Sequence, residues 1–183
     1  MVARWETLNK TPIADLKIFT AHAVQRRHPT HGHIGTFTVL ESAEWVNIIP
    51  LTRNNEIVMI QQYRHGTDSI TLEVPGGLVE EGENPCGAAM RECKEETGYG
   101  APHEALLVGV NEPNPAFMNN RCYSYLWQDC RLEYSPQPDE FEDIAVELVP
   151  VSRISEYIRS GKIAHSLTLT ALLFYMLRVG ILL

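Results

Sequence analysis

The chain has 183 residues, enough for one enzyme domain with a small appendage, and its 44% hydrophobic content suffices for a buried core. Its formal net charge of −8, from 15 Lys and Arg against 23 Asp and Glu, excludes generic nucleic-acid binding, which relies on basic patches to neutralise phosphate. It shows no repeat and no low-complexity tract, and the segment MVARWETLNKTP lacks the apolar stretch of a signal peptide.

Residues 1–45 read as a small β subdomain: ADLKIFTAHAVQRR and GTFTVLES have strand character and flank the turn-prone HPTHGH. So short a strand-like segment buries little core alone and needs a sheet to join, which predicts a homodimer with this unit exchanged onto a partner copy. In residues 46–183, together with Trp45, WVNIIPL, EIVMIQQY and SITLEV read as strands, a helix follows, and EALLVGVNE, RCYSYLWQDC and AVELVPV read as further strands. VSRISEYIRSG and HSLTLTALLFYML close the chain as helices. Strands on both sides of a central helix, with helices at the end, imply an α/β sandwich with a mixed sheet. The apolar run LTLTALLFYMLRVGILL is interrupted by Arg178 and Gly180 and falls short of the roughly 20 residues of a spanning helix, so it is expected to dock as a terminal helix, with no membrane partner. Cys86, Cys93, Cys122 and Cys130 form no C-x2-C pair, which indicates neither a zinc site nor a disulfide framework but free thiols in a reducing cytoplasm.

The chemistry concentrates in GLVEEGENPCGAAMRECKEETGY, residues 77–99. Asn84 is a good N-cap, Pro85 is favoured at the first helical position, and Gly98 suits the left-handed residue that ends a helix, so a helix is predicted from Pro85 to Thr97. On it Glu92, Glu95 and Glu96 stand at i, i+3 and i+4, which puts three carboxylates on one face. Cys86, Met90, Cys93 and Thr97 form the opposite, buried stripe. A solvated acidic face is the usual account of such a run. Against it, Arg91 and Glu83 adjoin the cluster, and the Gly76–Gly77 pair lets backbone approach closely. Clustered hard oxygen ligands select Mg²⁺ or Mn²⁺, ions that bridge to phosphate oxygens.

This segment resembles the Nudix box, G-x5-E-x7-R-E-U-x-E-E-x-G-U, with U aliphatic. Gly77, Glu83, Arg91, Glu92, Glu95, Glu96 and Gly98 match, while Cys93 and Tyr99 replace aliphatics at packing positions. The resemblance implies a Nudix-type α/β/α sandwich and metal-dependent hydrolysis of a nucleoside diphosphate linked to another moiety. QQYRHG, LEVPGG, Pro115 and the tail FEDIAVELVPVSRISEYIRSGKI are similar to the ADP-ribose pyrophosphatase branch, which implies ADP-ribose as substrate and AMP and ribose 5-phosphate as products. Another nucleoside diphosphate sugar, such as GDP-mannose or ADP-glucose, stays open, as does a non-catalytic ADP-ribose sensor, although the complete carboxylate set argues against the latter.

Carried over from the family, the carbonyl of Gly76 with Glu92, Glu95 and Glu96 is the implied metal-ligand set, and Arg64 is an implied phosphate or ribose contact. Arg91 is expected to orient Glu95 or Glu83 rather than to touch substrate. Glu73 is open between holding Arg64, holding the substrate ribose, and lying as a surface carboxylate at a strand end. Trp5, Tyr63 and Phe117 are candidates to stack on adenine, with core or interface packing an equal alternative for each. The branch often carries a carboxylate in the loop after Pro115, whereas this chain has PAFMNNR with Asn119 and Asn120, which cannot accept a proton from water. Glu140 and Glu142 of SPQPDEFED are then the candidates for a general base, a solvated connector being the other account of that loop.

Overall fold

A computed structural model describes residues 2–137 and 143–180. Contacts divide the chain into two units: the residues up to Ala43 with Glu112–Arg121, and Glu44–Asn111 with Cys122 onward.

The first unit is an antiparallel sheet of β1 (Glu6–Asp15), β2 (Thr20–Arg27) and β3 (Ile34–Glu41), in that order. The stretch ADLKIFTAHAVQRR, which reads as one strand in the sequence, is broken. Asp15 Oδ1 accepts from the Lys17 backbone N–H at 3.1 Å, Lys17 takes a φ of 67°, and the Leu16 N–H reaches Phe19 O at 2.8 Å. That turn separates β1 from β2. β1 is polar, carries Pro12 and has no alternating pattern; it is a strand because it pairs with β2 from Glu6↔Arg27 to Asp15↔Thr20, with register shifts at Thr7/Asn9 and Pro12/Ala14. Ala21 and Val24 are buried in this sheet, whereas Ile13, Leu16, Ile18, Ile34 and Phe37 stay exposed. Residues 112–121 are stitched to β3 by Leu40 N–H to Phe117 O at 2.7 Å and by Asn119 Nδ2 to Glu41 Oε1 at 3.1 Å. Asn120 Nδ2 donates to Ala43 O at 3.2 Å. Both asparagines therefore use amide donors that a carboxylate lacks.

The second unit holds β4 (Trp45–Thr52), β5 (Glu56–Arg64), β6 (Ser69–Glu73), β7 (Gly76–Leu78), α1 (Pro85–Thr97), β8 (Tyr99–Gly100), β9 (Leu106–Asn111), β10 (Cys122–Leu132), β11 (Ile144–Pro150), α2 (Ile154–Arg159) and α3 (Ser166–Val179). The strand order is β11-β5-β4-β10-β8, with β6 beside β5, β7 beside β4 and β9 beside β10. β4 and β10 run parallel, from Trp45↔Cys122 to Thr52↔Cys130, and the other pairs are antiparallel. The sheet is mixed.

Successive side chains on the central strands serve opposite faces, as the two-residue period of a strand requires. Val46 and Ile48 of β4 and Tyr125 and Trp127 of β10 pack with Ala88, Ala89 and Cys93 of α1. Ile49 of β4 and Leu126 of β10 pack on the other side with Ala171, Leu172, Tyr175 and Met176 of α3. This is the expected α/β/α sandwich. Trp127 is fully buried and donates its indole N–H to His103 O at 2.7 Å, so its large apolar area is sequestered without an orphaned donor. The terminal helix docks through its apolar face, and no helix among the described residues is long and apolar enough to cross a membrane. All four cysteines are free thiols; burial pushes those of Cys122 and Cys130 up to about 12, far from ready ionisation.

α1 begins and ends where local chemistry places it. Asn84 Oδ1 accepts from the Gly87 N–H at 2.8 Å, and Gly98 closes the helix at φ 73° with its N–H on Lys94 O at 2.9 Å. A Cβ on Gly98 would lie 2.3 Å from Tyr134 O, whose own N–H bonds the Gly98 carbonyl at 3.0 Å. Gly98→Ala therefore combines a left-handed backbone cost of ~1–2 kcal/mol with a clash against main chain. A loss of at least ~2 kcal/mol is expected, or roughly 4–8 °C in Tm by calorimetry. An unchanged Tm would mean that the α1–Tyr134 junction yields freely.

Candidate active site

β7 lies between β4 and α1, and its glycines set how close it comes. A Cβ on Gly76 would fall 2.2 Å from Val46 O, and one on Gly77 would fall 2.3 Å from Glu92 Oε1. Only the bare backbone fits against the Glu92 carboxylate. The Gly76 N–H donates to Glu96 Oε2 at 3.0 Å, fixing a carboxylate that is itself 3% exposed. Burying Glu96 is a departure from the simple two-faced helix, since a ligand-bearing position joins the packed side.

Arg91 organises the rest. Its Nε and Nη2 reach Glu83 at 3.1 and 3.0 Å, its Nη1 reaches both Glu92 and Glu95 at 2.9 Å, and Nη2 also reaches Leu78 O at 3.1 Å. These contacts engage all five guanidinium donors. Arg91 is thus a bracket that sets three carboxylates and β7 relative to one another. The hydrogen bond to Glu83 chiefly strengthens its hold on its proton, and Arg91 in turn keeps the Glu83 carboxyl below its ordinary range.

The donor set fits a hard divalent cation by its chemistry: Glu92, Glu95 and Glu96 offer oxygen ligands on adjacent turns of one helix, beside backbone that carries no side chains. Among the described residues, no three acidic, histidine or cysteine side chains converge closely enough to enclose an ion in this arrangement. Arg91 draws Glu92 and Glu95, while Glu96 turns to Gly76.

Arg64, at the end of β5, and Glu73, at the end of β6, form a two-pronged ion pair, Nε to Oε1 and Nη2 to Oε2 at 2.8 Å each. Glu73 is buried, not a surface carboxylate. Thr71 donates to its Oε1, and His165 Nδ1 lies 3.1 Å from Oε2. Burial alone would raise the Glu73 carboxyl, but Arg64, with Thr71 and His165, outweighs it and holds the group below its ordinary value of 4.5. The stability this gives is complete above that value and is lost as acidification passes through the lowered one. Two of these contacts hold Arg64, which is the first of the roles read for Glu73 in the sequence.

Pro115 and Phe117 fall in the N-terminal unit, in a turn where the Phe117 N–H bonds Asn114 O at 3.2 Å. Trp5 packs edge-on against His28 and Phe37 of that unit, at centroid distances of 5.0 and 5.6 Å. Tyr63 is partly exposed and donates its hydroxyl to Asp68 Oδ1 at 2.5 Å. Glu140 and Glu142 lie outside the described residues; the Gln137 N–H bonds Glu95 O at 2.7 Å. The residues that sequence reasoning missed are Thr71, His165 and Thr168. Thr71 is two residues from Glu73 on the same strand, a spacing that signals a shared face, but nothing local marks the other two.

A NUDIX domain model matches residues 43–167. A methanol dehydrogenase activator of Bacillus methanolicus is 31% identical over 136 residues, covering 73% of this chain and 72% of that protein. An ADP-ribose pyrophosphatase of Mycobacterium tuberculosis is 29% identical over 171 residues, covering 92% of this chain and 82% of that one. The crystal structure of an ADP compounds hydrolase superposes with a TM-score of 0.84 at 22% identity, over 100% of this chain and 99% of the other, which speaks for the fold. With its carboxylate-bearing helix and the matched span, the chain belongs to the NUDIX family, as a Nudix pyrophosphohydrolase of the branch that resembles ADP-ribose pyrophosphatases.

Proposed function

We propose that the protein hydrolyses the diphosphate bond of ADP-ribose to AMP and ribose 5-phosphate, using Mg²⁺ or Mn²⁺. The observation that carries this reading is the set of Glu92 and Glu95, bracketed by Arg91, and Glu96, held by the Gly76 N–H, seated against Gly76 and Gly77. Gly76 O, Glu92, Glu95 and Glu96 would hold the ion, which would supply neutralisation of diphosphate charge and a lowered pKa for its water. Arg91 orients the side chains of Glu92 and Glu95. Water attacks one phosphorus in line, the bond from that phosphorus to the bridging oxygen breaks, and the second phosphate leaves with the bridging oxygen. Arg64, 41% exposed and aimed by buried Glu73, presents positive charge to the diphosphate.

The test is a hydrolysis screen of nucleoside diphosphate derivatives with added Mg²⁺ or Mn²⁺ and chromatography of the products. ADP-ribose is expected to show the highest kcat/KM and to give AMP and ribose 5-phosphate. A tenfold preference for GDP-mannose, ADP-glucose or dATP would overturn the substrate and leave the reaction class. Binding of ADP-ribose without turnover would make the protein a sensor. The free, largely buried thiols support a cytoplasmic setting.

A homodimer belongs to the same proposal. The N-terminal sheet leaves Ile13, Ile18, Ile34 and Phe37 exposed, more apolar surface than so small a sheet hides by itself. Light scattering at micromolar concentration is expected to report twice the 20.7 kDa chain mass, and removal of residues 1–40 to abolish dimer and activity together. A fully active monomer after that truncation would contradict it.

A further inference from the structure

We propose that His165 is a positioning residue that holds Arg64 through Glu73; the role assigned to Arg64 rests on the reading of the site above. An ionised carboxylate has room for four donors, two at each oxygen. Three hydrogen bonds reach Glu73, from Arg64 Nε and the Thr71 hydroxyl to Oε1 and from Arg64 Nη2 to Oε2 at 2.8 Å, and His165 Nδ1 lies 3.1 Å from Oε2, against the fourth place. We place the ring proton of His165 on Nδ1, since a lone pair there would face a carboxylate that can only accept. Its ring is kept neutral: burial disfavours the imidazolium, and nearby Arg64 adds to this against the pull of Glu73.

His165 is placed by more than this contact. It is the residue before the first turn of α3, its carbonyl accepts the Leu169 N–H at 2.9 Å, and its Nδ1 lies 3.3 Å from Thr168 Oγ1. Thr168 is itself buried and accepts from the Val74 N–H at 3.3 Å, next to Glu73 in the chain. The Val74–Thr168 bond and the His165–Glu73 contact therefore link the start of α3 to the end of β6, beside the carboxylate that aims Arg64. Without the Nδ1 donor, one acceptor place on a buried carboxylate is unfilled. Glu73 then turns toward another donor and the two-pronged grip on Arg64 loosens.

Asparagine places its amide nitrogen where Nδ1 lies, whereas glutamine extends past it. With ADP-ribose as substrate, His165→Ala and His165→Gln are expected to raise KM about tenfold with kcat within about twofold, and His165→Asn to restore KM to within about twofold of the parent. Nitrogen-15 spectra of the full chain give a readout that needs no substrate. The Arg64 Nε–H resonance, assigned by its loss in Arg64→Lys, is expected to be sharp and slow to exchange in the parent and His165→Asn, and broadened in His165→Ala and His165→Gln. An unaltered Arg64 resonance in both His165→Ala and His165→Gln overturns the proposal, as does a defect that Asn does not relieve. If Arg64→Ala leaves KM unchanged while the resonance behaves as stated, Arg64 is not a substrate contact, yet the His165–Glu73–Arg64 coupling stands.

Discussion

Glu96→Gln is expected to lower kcat for ADP-ribose hydrolysis by at least ~10²–10³ at saturating Mg²⁺, the loss that follows removal of a major electrostatic stabiliser. The substitution is nearly isosteric, and the amide oxygen still accepts from the Gly76 N–H, which lies 3.0 Å from the native carboxylate. Folding should therefore change little, and a matched circular dichroism melt separates the two effects. Glu92→Gln should behave similarly, although its carboxylate also answers Arg91 at 2.9 Å. Near-normal turnover by Glu96→Gln would remove α1 from the chemistry.

Glu140→Gln is expected to lower kcat by ~10²–10⁴, the range for a general base, with KM and metal affinity nearly unchanged. Asn119 and Asn120 give their amide donors to Glu41 and Ala43, and neither asparagine side chain can take a proton from water. Glu140 and Glu142 of the acidic segment are the remaining candidates, and both lie outside the described residues. Steady-state kinetics of Glu142→Gln should show a smaller loss. If both variants keep half the parent kcat, the segment is a connector and Glu95 becomes the residue to substitute.

What was legible in the sequence was what short-range chemistry decides. Asn84, Pro85 and Gly98 bound α1 because capping needs only neighbours, and the long apolar strands announced themselves by pattern. β7 and β8 did not, because three and two residues become strands only when β4 and β10 supply their partners. β1 escaped for the same reason, being polar and defined by register rather than by alternation. In the site, Arg91 and its glutamates could be read from helical spacing. The surroundings of Glu73 could not, since His165 and Thr168 come from the start of α3, about ninety residues on in the chain.

The parallel pairing of β4 with β10 decides when this protein can become an enzyme. Trp45 finds Cys122 only after the chain between them exists, and that chain includes α1 with its glutamates. Closing so long a loop costs entropy before any contact rewards it, so the central pairing is expected to form late in folding. On the ribosome, the carboxylate helix emerges well before the strand that gives its buried face a floor, since Tyr125 and Trp127 arrive with β10. Until then Ala88, Ala89 and Cys93 have only part of their packing. A nascent chain halted before Cys122 should accordingly expose α1 to protease, and release past Leu132 should protect it.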